Sequence, residues 1–157
     1  MESRHLYRGK RIDNGEWAIG FYLNPLEEYG NGERVAEIVP LEAIQNFECV
    51  SPTLIVDPST ICQCTGLKDD DGTLIFENDV LSLKDEISKC EWKAVVKFGN
   101  PNSEYTWGWQ LVSITECDVN KDILMWVETE MGYMYCNIIG NGFDNPEQLK
   151  GVSYDEK

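Results

Sequence analysis

Three consecutive aspartates followed by a glycine, at residues 69–72, are the first group in this sequence that suggests chemistry. Acidic loops of this kind bind calcium in EF-hands, where position 6 is glycine and positions 1 and 12 supply oxygen ligands. With Gly72 at position 6, Leu67 falls at position 1 and Asn78 at position 12. Neither end fits, and the flanking residues are typical of strands. The aspartates therefore predict a tight hairpin turn and not a calcium site.

Other catalytic patterns are missing from the sequence. It has no G-x-x-x-x-G-K-[ST] or G-x-G-x-x-G phosphate loop. Nucleophilic catalysis needs a cysteine or serine beside a base, and the one histidine, His5, lies close to the N-terminus. The 28 acidic residues form many pairs by chance, so the sequence does not test paired-carboxylate hydrolysis. We expect no enzyme, no catalytic residue and no cofactor, and keep an enzyme with an unrecognised site as an alternative.

The cysteines are dispersed and none forms C-x-x-C. Cys62 and Cys64 are the closest pair, but zinc sites need a second close pair or histidines, so no metal is expected. Residues 1–5 are not followed by an apolar stretch, so we expect that they are not a secretory signal, and no window of about 18 apolar residues occurs that would span a membrane. We expect a cytoplasmic protein without membrane contact, whose cysteines are small buried hydrophobes, with a disulfide framework as the alternative. The six cysteines are Cys49, Cys62, Cys64, Cys90, Cys117 and Cys136.

The one basic cluster, Arg8, Lys10 and Arg11, belongs to a chain with 13 basic and 28 acidic residues and a net charge of −15. The cluster is the candidate contact for a phosphate or an acidic partner; alternatively, it protects a strand edge and pairs with acids. The overall charge repels nucleic-acid phosphates and disfavours nucleic acid as a partner. The acidic surface serves either solubility or mimicry of nucleic acid, with carboxylates in place of phosphates.

Residues 57–80 form the segment that organises the chain. Asp57 is a predicted N-cap whose carboxylate accepts from the N–H of Thr60, with Pro58 at the first helical position. Gly66 and Asn78 are predicted at turns or bulges that need a left-handed backbone. We therefore assign this segment a structural role. The residues of the predicted structural motif are Asp57, Pro58, Gly66, Gly72, Asn78 and Asp79.

Alternating apolar and polar residues predict strands along most of the chain. The first hairpin turns at residues 13–15, and its second strand is expected to face inward with Trp17, Ile19, Phe21 and Leu23. The five tryptophans are expected in the core because each buries a large apolar area. The alternative is that their rings stack on the bases of single-stranded nucleic acid. Trp107, Trp109 and Leu111 are spaced two residues apart, so a strand would place all three side chains on the same face. Further strands are predicted at 35–39, 49–56, 92–98, 105–114, 123–129 and 133–139.

Short strands with a turn signal about every 8–12 residues predict an all-β, mainly antiparallel fold. No βαβ pattern appears, which argues against a parallel sheet. The expected architecture is one compact unit in which an N-terminal β-hairpin module, residues 1–66, packs on a small SH3-like partial barrel, residues 67–149. A frayed tail follows at 150–157, and short helical turns are expected at 40–47 and after Asp57, with a second capped turn at 144–147.

Three ordered segments resemble the YopX family of small phage and prophage proteins. They are residues 7–17; residues 56–80, with Asp57-Pro58, Thr65-Gly66-Leu67-Lys68-Asp69, Gly72 and Asp79-Val80; and residues 139–147, with Gly140-Asn141 and Asn145-Pro146-Glu147. The sequence departs from the family pattern at Cys64, where an aromatic residue is typical, and at Asn78, where glycine is. The resemblance implies a mostly β protein in a bacterial cytoplasm, and no reaction or catalytic residue.

The function expected from these observations is that of an accessory protein that binds an unidentified host or phage protein, with self-association as a further option. Two alternatives stay open beside an unrecognised enzyme: a nucleic-acid-associated protein acting through the barrel and the Arg8–Arg11 cluster, and an acidic phosphate mimic.

Overall fold

The computed structural model describes residues 5–23, 36–41, 53–101, 107–115, 119–127 and 132–150. The strands are β1 (Tyr7–Lys10), β2 (Trp17–Leu23), β3 (Ala36–Pro40), β4 (Leu54–Val56), β5 (Cys62–Lys68), β6 (Leu74–Phe76), β7 (Asp79–Asp85), β8 (Cys90–Gly99), β9 (Gly108–Ser113) and β10 (Met134–Asn141). The helical elements that lie wholly within the described residues are α1 (Leu124–Val127) and the 3-10 turns Pro58–Thr60 and Pro146–Leu149. The predicted helical turn at 40–47 lies largely outside the described residues.

The chain forms two compact units, residues 1–64 and 65–157. In the first, β4, β3, β2, β1 and the start of β5 pair in that order, and the pairs are antiparallel. The chain that follows β4 runs back along β1: the Asp57 N–H donates to the Lys10 carbonyl at 2.8 Å, and the Lys10 N–H donates to Thr60 Oγ1 at 2.8 Å. The capped turn at Asp57, which connects β4 to β5, is therefore hydrogen-bonded to the end of β1.

The core of the first unit is built from small and branched residues: Ala18, Ala36, Ile38 and Val56. The prediction that Trp17, Ile19, Phe21 and Leu23 face inward was wrong, because the opposite face of β2 is buried. A Cβ atom at Gly20 would overlap the Val39 carbonyl, so β2 and β3 approach too closely for a larger side chain. Strict alternation indicates a strand but not which face is buried, and here close packing selects the face with small residues.

The second unit contains a four-stranded antiparallel sheet in the order β10-β7-β8-β9. Its apolar face is covered by the β5–β6 hairpin, through Leu67 and Ile75, and by the segment around α1. Trp126 is 3% exposed, its ring packs edge-on against Trp92 at 5.4 Å, and its Nε1 donates to the Asn120 carbonyl. The predicted tryptophan core is thus present in part.

Residues 123–129 were predicted to be extended, and the structure corrects this over residues 124–127, which form α1. The Leu124 N–H donates to Asp122 Oδ1 at 3.0 Å, and the Asp122 N–H donates to Asn120 Oδ1 at 3.0 Å. Short polar side chains that accept from backbone N–H groups one or two residues on begin helical turns. The local cap therefore outweighs the extended pattern of the apolar residues.

The predicted all-β, mainly antiparallel class with short helical turns is confirmed. Among the described strands, β10 and β9 are the free ends of the four-stranded order, so that sheet is open and not a closed barrel. The two units divide after Cys64, two residues before the predicted boundary. No helix in the described part of the chain is long and apolar enough to cross a membrane.

Candidate functional site

The aspartate turn is the segment that the sequence marks most strongly, and its carboxylates hold backbone groups. Asp69 Oδ1 accepts from the N–H groups of Asp71 at 3.1 Å and Thr73 at 2.8 Å, which closes the hairpin between β5 and β6. Its other oxygen, Oδ2, accepts from the N–H of Ile138 in β10 at 3.1 Å. One buried carboxylate thus joins the turn to a strand that lies 69 residues further along the chain.

Asp70 and Asp71 extend the same contact along the edge of β10. The Cys136 N–H donates to Asp70 Oδ2 at 2.8 Å, and the Asp70 N–H donates to the Cys136 carbonyl at 3.0 Å. Asn137 Nδ2 donates to Asp71 Oδ2 at 3.1 Å. Within the described residues, no three His, Cys, Asp or Glu side chains are grouped to hold a metal ion. The turn therefore protects a sheet edge.

The other residues of the predicted structural motif stabilise turns. Asp57 Oδ1 accepts from the N–H and hydroxyl of Ser59, at 2.9 and 2.7 Å, and not from Thr60 as expected, because the turn is a tighter 3-10 helix. Asn78 has φ 65°, and the buried Asp79 accepts from the Phe76 N–H at 2.8 Å, which closes the turn between β6 and β7. Pro58 begins the 3-10 helix. Gly66 and Gly72 have φ 85° and 79°.

The basic cluster is divided between two environments. Arg8 and Lys10 lie on one face of β1 over the Trp17 indole, with Arg8 Cζ 4.7 Å and Lys10 Nζ 5.5 Å from the ring centroid. Arg8 is buried, whereas Arg11 lies in the following turn and pairs with Asp13. The Arg11 hydrogen bond lowers the pKa of the exposed Asp13 carboxyl. The three side chains therefore do not form one exposed basic patch.

An open groove in the second unit is the best candidate for a binding site. Its volume is about 710 Å³. It lies where β5, the start of β9 and the segment before α1 meet. The lining residues are Thr65, Leu67, Trp107, Gly108, Trp109, Gln110, Val119, Asn120, Lys121, Asp122, Ile123 and Leu124. Apolar walls with a few polar groups are the usual composition of a ligand site.

Aromatic rings form the outer wall of this groove. The side chain of Trp107 is 79% exposed, an extreme value for the residue type that buries the largest apolar area. Trp109 is half-buried, and its ring packs at 4.9 Å against Phe98, which is 56% exposed on the adjacent strand β8. Leu124, which also lines the groove, is 46% exposed. The groove thus offers apolar area that nothing in the described chain covers fully.

The sequence placed Trp107 in the core, in phase with Trp109 and Leu111, and this was wrong. Strand β9 begins at Gly108, so Trp107 precedes the strand and is not held on its core face. Leu111 does lie in the core and is 0% exposed. The sequence feature that could have placed Trp107 outside the core is Gly108, the residue after it, at which the strand begins.

The sequence was compared with models of protein families. The model described as YopX protein matches residues 7–150, nearly the whole chain. The chain belongs to the YopX family. No curated protein matches this chain.

The two departures from the YopX pattern both fit the structure. Cys64, one of the departures expected from the sequence resemblance, is 0% exposed in β5. Asn78, the other, adopts a left-handed backbone, and its side-chain oxygen accepts from Lys97 Nζ at 2.7 Å. Asn is the residue that tolerates this conformation best after glycine. The substitutions are therefore compatible with the fold of this YopX chain.

The cysteines of this YopX protein differ in their access to solvent. Cys62, Cys64 and Cys136 are buried free thiols, as expected, and Cys90 is exposed in the β7–β8 hairpin; Cys49 and Cys117 lie outside the described residues. Burial, and then the carboxylates of Asp70 and Asp69, raise the pKa of the Cys136 thiol to about 12. A thiol with so high a pKa stays protonated and is a poor nucleophile near neutral pH.

Proposed function

We propose that this YopX protein is a phage or prophage accessory protein that acts in the bacterial cytoplasm by binding another protein, without catalysing a reaction. The observation that supports this most directly is the groove lined by the exposed Trp107. Tryptophan is enriched at the centres of protein interfaces because its ring supplies a large apolar area at a small cost in side-chain entropy.

The chemistry of the groove favours a partner segment that is both basic and apolar. Residues 65–157 contain 18 acidic and eight basic side chains, a net charge of −10, so the unit that forms the groove attracts cations. The faces of Trp107 and Trp109 attract lysine and arginine side chains through their π-electrons. Asp122 lines the same groove as the two tryptophans. A peptide with an arginine or lysine next to an apolar anchor satisfies all three features.

The test is the binding of peptides to the full-length chain. Two short peptides with the same apolar anchor, one with arginines and one with glutamates, carry a fluorescent label, and the anisotropy of the label is recorded as the protein is added. The arginine peptide is expected to bind and the glutamate peptide to bind much more weakly. Trp107→Ala should abolish the signal, whereas Ile87→Ala, at a residue 71% exposed in the same unit but outside the groove, should retain it. Equal binding by wild type and Trp107→Ala would contradict the proposal.

Nucleic acid is the competing partner class, and the arrangement of the basic residues does not favour it. Arg11 pairs with Asp13, and Arg8 is buried. A salt-sensitive shift of DNA or RNA in a gel, lost in Lys10→Ala, would replace the protein-binding proposal with this one. The mimicry of nucleic acid by carboxylates predicts instead that a DNA-binding partner is displaced by DNA.

A further inference from the structure

Two asparagine–glycine pairs in this protein differ in their surroundings. Asn14-Gly15 lies in the turn between β1 and β2, and Asn141-Gly142 lies at the end of β10. A third pair, Asn31-Gly32, lies outside the described residues. Asparagine is one of the chemically less stable residues, because the backbone nitrogen that follows it can attack its side-chain amide. Glycine has no side chain to obstruct that nitrogen, so these pairs are the reactive ones.

The reaction of such a pair is deamidation, and it needs water but no enzyme, metal or oxidant. The glycine nitrogen bonds to Cγ of the asparagine, the bond between Cγ and Nδ2 breaks, and Nδ2 leaves as ammonia with the proton that the glycine loses. The product is a cyclic imide. Water then adds to one of its two carbonyl groups and opens the ring, which leaves aspartate or isoaspartate in place of the asparagine. The first step is intramolecular, so its rate depends on how easily the nitrogen reaches Cγ.

The Asn14 amide is held in an arrangement that favours this attack. Its Oδ1 accepts from the Glu16 N–H at 3.0 Å, and its Nδ2 donates to Glu16 Oε2 at 2.8 Å. Negative charge develops on Oδ1 as the new bond forms, and an N–H group at that oxygen stabilises the charge. Asn14 and Gly15 are both exposed, so water reaches the amide. The hydrogen bond from the Gly15 N–H to the Arg11 carbonyl, at 2.9 Å, has to open first.

Asn141 makes the same kind of contacts in a packed environment. Its Oδ1 accepts from two backbone N–H groups, each at 3.0 Å, and its Nδ2 donates to Asp144 Oδ2 at 2.7 Å. Asn141 is only 9% exposed, however, and a Cβ atom at Gly142 would lie 2.9 Å from Leu149 Cδ1. The Gly142 N–H donates to the Asn78 carbonyl at 2.9 Å. Freeing the Gly142 nitrogen therefore requires this packed region to open.

We propose that Asn14 is a site of spontaneous deamidation in the folded protein and that the fold protects Asn141. Exposed turns open at a small cost in free energy, whereas packed regions open only in larger unfolding events. Asn14 is therefore expected to react faster than Asn141 by a factor on the order of ten or more. The product adds a negative charge to a turn that already contains Asp13 and Glu16, and it removes the Nδ2 donor. This modification does not involve the groove or its partner.

The first test follows both asparagines in the folded full-length chain. The protein is kept at mildly alkaline pH, samples are digested at intervals, and mass spectrometry of the peptides measures the conversion at each position. Asn14 is expected to convert while Asn141 remains unchanged, and in concentrated urea both should convert at similar rates. Equal rates in the folded chain, or an Asn14 that converts only in urea, would overturn the proposal.

The second test changes the attacking residue. Gly15→Ala places a methyl group beside the nitrogen and should slow the conversion of Asn14 by a factor on the order of ten. Gly15 has φ 73°, which strains alanine, so Gly72→Ala, at φ 79° in the aspartate turn, is the matched control and should leave the conversion unchanged. A Cβ atom at either glycine would meet no atom within 4 Å, so both variants should fold, which circular dichroism checks. An unchanged rate in Gly15→Ala would contradict attack by the Gly15 nitrogen.

Discussion

The two edges of the four-stranded sheet are closed in different ways. At β10, carboxylates of the aspartate turn accept from backbone N–H groups. At β9, a backbone carbonyl is the acceptor instead: the Leu111 N–H donates to the Lys121 carbonyl at 2.9 Å. Gln110 also forms a β-bridge with Asp122. The groove with Trp107 lies along the second edge. The aspartate turn at β10 thus has a structural role. The surface suited to binding lies at β9, where the sequence contains no motif that suggested a site.

Among substitutions at the β10 edge, Asp69→Ala should cause the largest loss of stability. It removes the acceptor for three backbone N–H groups and leaves them partly buried, which is expected to lower the free energy of unfolding by about 3 kcal/mol. Chemical denaturation measures the loss. Asp71→Ala, at an exposed residue with one side-chain bond to Asn137, is the matched control and should cost less than about 1 kcal/mol. Equal losses would show that the turn does not depend on Asp69.

Asp70→Ala should have a smaller effect at the same edge. Only the bond from the Cys136 N–H is lost, while the Asp70 N–H still donates to the Cys136 carbonyl. We expect a loss of about 1.5 kcal/mol and faster hydrogen exchange at the Cys136 amide. If exchange at that amide is unchanged, another group accepts from it and the edge contact is not as described.

Cys136 makes the β10 edge sensitive to alkaline pH. Its raised pKa, about 12, means that the unfolded chain loses this proton first, so stability is present below pH ~9 and is lost as the pH rises toward 12. Between pH 9 and 10 the loss should reach about 1 kcal/mol. Cys136→Ala removes this contribution, so the difference between the two proteins should shrink over that interval. A constant difference from pH 7 to pH 10 would contradict the prediction.

Trp107→Ala should have the smallest effect on stability and the largest on binding. Because its side chain is 79% exposed, we expect the free energy of unfolding to change by less than about 0.5 kcal/mol. Trp126→Ala, at a residue 3% exposed, provides the contrast and should cost about 3–5 kcal/mol. A large loss of stability in Trp107→Ala would place that ring in the core and end the distinction between the two edges.

The sequence by itself determined most of the strands, their antiparallel class and the turns that join them, but not the helical turn α1. These features depend on residues close together in the chain: the alternation of β2, the aspartate-glycine turn, and the left-handed Asn78. Local backbone preferences act over a few residues, so they can be predicted without the fold.

Only the tertiary structure decided which surfaces are buried. Gly20 against Val39 selects the inner face of β2, and the start of β9 at Gly108 leaves Trp107 outside the core. The carboxylate of Asp69 finds its third donor 69 residues away, at Ile138. Such contacts depend on which elements meet in space, and a pattern along one segment contains no information about its distant neighbours. For this reason the sequence directed attention to the aspartate turn, and the groove became visible only in the folded chain.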